Sequence, residues 1–159
     1  MDETALREQV AEFLTSRGAH LDFEAVVKDF PEGLRGKKAP GLPHTGWQLL
    51  EHLRICLWDI LEFSRAPDHV SPDFPTGYWP EDESPPTPEA WDKCVDSIRR
   101  DLRAMQDLVR DESRDLFKPF PHGQGQNLLR EALLIADHNA YHLGQLVDLR
   151  RLLGVWPPS

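Results

Sequence analysis

The sequence predicts an all-α fold: a four-helix bundle with an extra short helix and a long connection between the second and third long helices. Apolar residues recur at three- and four-residue spacing through four long stretches. Proline- and glycine-rich connections separate those stretches, and no segment shows the strict alternation of a half-buried strand. The 159 residues suit one domain over 1–159, large enough to bury a core without disulfide staples.

The first helix is expected from about Glu3 to Arg17, with Leu6, Val10, Phe13 and Leu14 as its apolar stripe and Gly18 as a stop. A short amphipathic piece with Phe23, Val26, Val27 and Phe30 follows and ends at Pro31. Arg35 to Pro43 is broken by glycine and proline and reads as loop. The second long helix opens at Thr45, where Gln48 three residues on completes a capping box, and Leu49 to Phe63 carry it to about Ser64. A proline-studded connection spans Arg65 to Pro86. Its length can return the chain from one end of a bundle to the other, so a simple up-down order is not required.

Thr87 reads as the N-cap of the third helix, with Pro88 at its first position and Trp91, Val95, Ile98, Leu102, Met105, Leu108 and Val109 along one side. After a loop holding Pro119, Pro121, Gly123 and Gly125, the fourth helix starts near Asn127 and runs to about Leu153. Gly154, Pro157 and Pro158 end it.

Acidic residues number 27 against 18 basic, a formal charge of −9. A nucleic-acid backbone or an anionic membrane surface needs a basic face, which argues against either as the main partner. No run approaches the roughly 18 apolar residues of a membrane span, and the acidic start lacks a secretory core. Cys56 and Cys94 sit among apolar neighbours and read as small buried hydrophobes, and a reducing cytoplasm is the expected setting.

Chemistry concentrates in histidine. His138 and His142 are one helical turn apart, and residues four apart share a face. That face also carries Glu131, Leu134, Gln145 and Leu149, so both imidazoles should point inward, away from Arg130, Arg150 and Arg151. His52 lies on the second long helix beside Gln48, Cys56 and Asp59. Interior imidazoles must be hydrogen-bonded or coordinated, and facing bundle helices are where metal sites are built. His52, His138 and His142 are therefore the candidate ligands, since imidazole suits zinc, nickel, copper and iron, with zinc or nickel expected in a metal-dependent enzyme.

His20, His44, His69 and His122 fall at loops or helix ends and read as turn, cap or solvent residues, although His44 and His122 lie where they could line a pocket mouth. Glu131 reads as a first-turn acid before it reads as a pocket base. Asn139 stands where a zincin needs glutamate, and none of the seven histidines has the Glu-x-x-His spacing of a ferritin-like di-iron site.

The strings Trp-Gln-Leu-Leu-Glu-His-Leu-Arg (47–54) and Ala-Asp-His-Asn-Ala-Tyr-His-Leu-Gly-Gln-Leu (136–146) resemble the DinB/YfiT-like superfamily, as do Pro-Gly-Leu-Pro-His (40–44) and Gly-Tyr-Trp-Pro (77–80). The resemblance implies a four-helix bundle, often a homodimer, whose three-histidine divalent metal site maps onto His52, His138 and His142. Relatives include transferases and isomerases that use low-molecular-weight thiols such as bacillithiol, mycothiol or glutathione-like cofactors.

Three readings follow. The first is a metal-dependent enzyme acting on a small-molecule substrate, a thiol S-transferase in its sharpest form, with Tyr78 and Trp79 of the long connection covering the pocket. The others are a non-catalytic metal or small-molecule binding module and a metal-free bundle with hydrogen-bonded histidines. Free imidazole chemistry makes metal affinity fall below about pH 6.5. Trp156 and apolar stripes left on the first or fourth helix are the expected dimer contacts.

Overall fold

The computed structural model describes residues 3–15 and 18–158, and among them there are helices and no strands. The long helices are α1 (Glu3–Phe13), α3 (Gly46–Arg65), α4 (Ala90–Arg110) and α5 (Leu128–Leu152), with a short α2 (Phe23–Val27) between the first two. The expected fold class is what the chain adopts.

Local caps set most of the boundaries. Thr45 and Gln48 form the reciprocal capping box at the start of α3. Asn127 accepts from the Arg130 N–H at 2.9 Å to open α5, and Gly154, at φ 74°, turns the chain out after it. Asp22 caps α2 by accepting from the Ala25 N–H at 2.8 Å.

Two boundaries differ from expectation. Helix α1 stops at Phe13, where the Thr15 N–H turns back to the Glu12 carbonyl and tightens the last turn; the expected end at Arg17 lies outside the described residues. Helix α4 begins at Ala90 rather than just after Thr87, because Thr87 to Ala90 forms a separate turn closed by the Ala90 N–H on the Thr87 carbonyl. The inner face of α1 also differs. Arg7, Val10, Ala11 and Leu14 are buried, while Phe13 is 57% exposed.

Helix α3 packs beside α4 and α5, and α1 closes the ring against the same two helices. Near one end, the Cys94 thiol donates to the Leu50 carbonyl at 3.6 Å, joining the first turns of α4 and α3, so these two run parallel. His122, just before α5, meets the Phe63 carbonyl near the end of α3 at 2.8 Å, so α5 runs antiparallel to α3. Arg7 on α1 donates to the Val109 and Asp111 carbonyls at 2.7 and 3.1 Å, capping the C-terminal end of an antiparallel α4. Leu50, Leu53, Leu57 and Leu61 of α3 meet Ile98 and Met105 of α4 and Ile135, Leu146 and Leu149 of α5 in a dry centre.

A parallel α3–α4 pair forces residues 66–89 back along the bundle as a strap. His69 meets Asp59, Tyr78 meets Asp59 and His52, and Thr45 Oγ donates to the Glu83 carbonyl at 2.7 Å, so the strap retraces α3 in reverse. A Cβ on Gly36 would lie 1.8 Å from Ser84 Oγ, so glycine there lets the strap seat.

Arg150 corrects another expectation. It is fully buried rather than outward-facing, because its guanidinium binds the Val26 and Lys28 carbonyls at 2.6 and 2.7 Å. It also lies over the Phe30 and Trp156 rings, which packs one side of Trp156 against its own chain. No helix among the described residues is long and apolar enough to cross a membrane.

Candidate metal centre

Because α3 and α5 are antiparallel neighbours, His52 faces the turn of α5 that carries His138 and His142. His52 Nε2 lies 3.1 Å from His142 Nε2 and 3.1 Å from His138 Nε2. One ring nitrogen from each residue lies within 4.8 Å of the other two, and His52 and His142 are buried. The sequence-predicted residues converge.

The outer groups decide how those rings present themselves. His52 Nδ1 lies 2.7 Å from the Tyr78 carbonyl, which can only accept, so that nitrogen carries the proton and Nε2 keeps its lone pair. His142 Nδ1 lies 2.7 Å from Gln145 Oε1, and with that amide oxygen as acceptor its Nε2 is bare. Two lone pairs therefore face each other across 3.1 Å. A proton on His138 Nε2 can serve the His52–His138 edge but not this one.

A cation between the nitrogens would resolve that repulsion. An ion about 2.0–2.1 Å from each nitrogen holds them about 2.9 Å apart at right angles and about 3.4 Å apart in a tetrahedron. Both 3.1 Å edges from His52 fall between these limits, and the His138 and His142 donors lie within 4.8 Å of each other, an arrangement compatible with one divalent ion.

Burial, with neighbouring imidazoles adding to it, holds His138 and His142 at about 4, and burial also lowers His52. All three are neutral at pH 7, the form that coordinates. Protons then compete for His138 and His142 only toward pH 4, below the 6.5 expected of free imidazole.

The strap covers the centre as anticipated. Trp79 stacks on His52 with ring centroids 3.8 Å apart and planes 4° from parallel, and His44 stacks on the other face of Trp79 at 4.0 Å. Sequence reasoning placed His44 near a pocket mouth without its role, since a residue just outside a cap gives no sign of a stacking partner in a remote loop. Burial raises the Cys56 thiol to about 12, and its sulfur, 3.6 Å from His52 Nδ1, stays outside the set of three donors.

A second polar group lies beside the histidines. Asp59 accepts from the Tyr78 hydroxyl at 2.7 Å through one oxygen and meets His69 Nε2 at 2.7 Å through the other. His69 is thus no solvent residue; its side chain packs edge-on to Trp58. His122 holds the Phe63 carbonyl and packs with Phe63 and Phe120, while His20 is exposed. Glu131 is buried, pairs with Arg130 and is raised by burial; it lines a separate recess of about 200 Å³ with Asp59 and Phe63.

A cavity of about 360 Å³ opens beside the centre, walled by His52, His138, Cys56, Asp59, Ile60, Leu134 and the strap residues Phe74, Pro75, Tyr78 and Trp79. Comparison with known proteins finds that a family model described as the DinB superfamily matches residues 17–146. No curated protein and no solved structure matches the chain.

Proposed function

The chain belongs to the DinB superfamily, and from that premise we propose a single-domain, metal-dependent enzyme in which His52, His138 and His142 hold one divalent ion, zinc or nickel. Its substrate reaction is transfer of a low-molecular-weight thiol to a small electrophile, in a cytoplasmic homodimer. The observation that carries the metal assignment is the pair of bare Nε2 lone pairs 3.1 Å apart, fixed by Tyr78 and Gln145. The thiol assignment draws on the likeness to thiol-using relatives.

A bound divalent ion supplies Lewis acidity that favours the thiolate over the thiol. The sulfur lone pair forms a bond to the electrophilic carbon, the leaving group departs with its bonding pair, and the thiol proton passes to water. The protein's residues set the stage for this. The Tyr78 carbonyl and the Gln145 amide orient two imidazoles, and the Trp79–His44 stack shields the centre from bulk water. Cys56 remains a neutral thiol and does not compete as a nucleophile.

The test is elemental analysis of tag-free protein after zinc or nickel incubation and dialysis. About one ion per chain is expected, falling below about 0.2 in His52→Ala and His138→Ala. Full loading of both variants would end the assignment. Loaded protein should then turn over a generic electrophile with at least one biological thiol. Metal binding without any thiol-dependent rate above background would leave a binding module in place of the transferase.

A further inference from the structure

We infer that the cavity beside the three histidines receives the neutral, apolar or aromatic body of the small-molecule substrate, with the reacting end toward the histidines. The inference names the substrate class of the proposed site and rests on that reading for its role, but not for its occupancy.

The volume, about 360 Å³, lies within the range of small-molecule sites. Ile60, Leu134, Phe74, Pro75, Cys56 and Trp79 supply its apolar wall, and among the described residues no lysine or arginine lines it. Apart from His138, whose Nε2 faces His52, the polar groups present are already engaged. Asp59 uses one oxygen for Tyr78 and the other for His69, the Tyr78 hydroxyl proton goes to Asp59, and His52 Nδ1 is held by a carbonyl.

Away from the histidine wall, a carboxylate or phosphate entering this space would leave water without a partner, which is costly, whereas an apolar surface gains by entering. A hydrophilic, charged thiol is therefore the wrong occupant of the apolar part, which suits the electrophile's body and leaves the histidine end to the thiol sulfur. His52 and His138 form a wall of the same cavity, so a ligand lodged there lies against the proposed cation site. Phe74, 88% exposed on the strap, leaves an apolar lip at the opening.

The experiment uses one ring system with three charges: 2-naphthalenemethanol, 2-naphthalenesulfonate and 2-naphthylmethylammonium. Each is titrated into purified protein of measured metal content, read by tryptophan fluorescence and by ligand-observed NMR. The alcohol should bind at least tenfold more tightly than either ion. Leu134→Trp, which fills the space, should abolish alcohol binding. Phe74→Ser, a change at an exposed site that spares the fold, should weaken it several-fold. No alcohol binding, equal binding of all three, or binding unaffected by both variants would overturn the inference. Preference for the ammonium ion would assign the cavity to cationic ligands drawn by Asp59 and would equally overturn it. Loss of the metal assignment shows separately, as chains without an ion, and leaves this titration readable.

Discussion

Gln145 reaches back one turn along α5 to fix the His142 ring, and its contribution can be measured apart from the ligands themselves. Gln145→Leu removes the acceptor at Nδ1 and frees the ring to turn or change tautomer. Zinc affinity by competition with a chelator should fall about 10- to 100-fold, with near-full occupancy still reached at high zinc. Unchanged affinity would show that Gln145 does not orient the site. The depressed histidines give a second prediction at the same scale. His138 and His142 stay neutral in the fold down to about 4, while in the unfolded chain they bind protons near 6.5. Between those values the unfolded state holds more protons, so the metal-free protein loses stability as pH falls from about 6.5 toward 4. Thermal melts at pH 7.5, 5.5 and 4.5 should show this slope, reduced in a His138→Asn, His142→Asn double variant. Equal slopes in both proteins would mean that other groups govern the acid response.

Between elements, Arg150 is the chief tie. It joins α5 to the end of α2, donating to the Val26 and Lys28 carbonyls while Nε faces the Val155 carbonyl at 3.3 Å. Arg150→Met keeps most of the volume but leaves buried carbonyls without a donor, and should lower unfolding free energy by about 2–4 kcal/mol in urea titrations. Arg150→Lys should recover only part of that, since an ammonium lacks the planar fork. A change below about 0.5 kcal/mol in the methionine variant would refute the tie. This residue also marks where legibility ends. Thr45 with Gln48, and Asn127 before α5, declare helix starts because a cap bonds within three residues. His138 and His142 declare a shared face by spacing alone. Arg150 reads as an outward-facing charge because its shortest bonds go to the Val26 and Lys28 carbonyls more than 100 residues away, and a carbonyl has no residue signature. The Tyr78 carbonyl on His52 is hidden for the same reason, and the dyad of Asp59 with His69 joins a helix to a strap whose path only its length foretold.

Taken whole, the molecule is an α-helical ring whose order around the axis is not its order along the chain. Helices α1 and α3 lie across the ring from each other, between α4 and α5, and α3 and α4 lie side by side yet parallel. The strap that reconciles chain order with spatial order is the segment that crosses His52, so the topology itself places aromatic cover over the candidate centre. That parallel pairing has a kinetic consequence. No tight turn can start it, so the docking of α3 on α4 must wait for closure of the intervening loop, and the three imidazoles must wait for a meeting of residues 86 and 90 positions apart. The centre should thus assemble after the rate-limiting barrier. Stopped-flow measurements should show zinc slowing unfolding by tenfold or more with little change in refolding rate, since contacts formed late are felt only on the way out. A cation that accelerated refolding instead would place the histidines in the folding nucleus, and the bundle would then close around its ion rather than present a finished cradle to it.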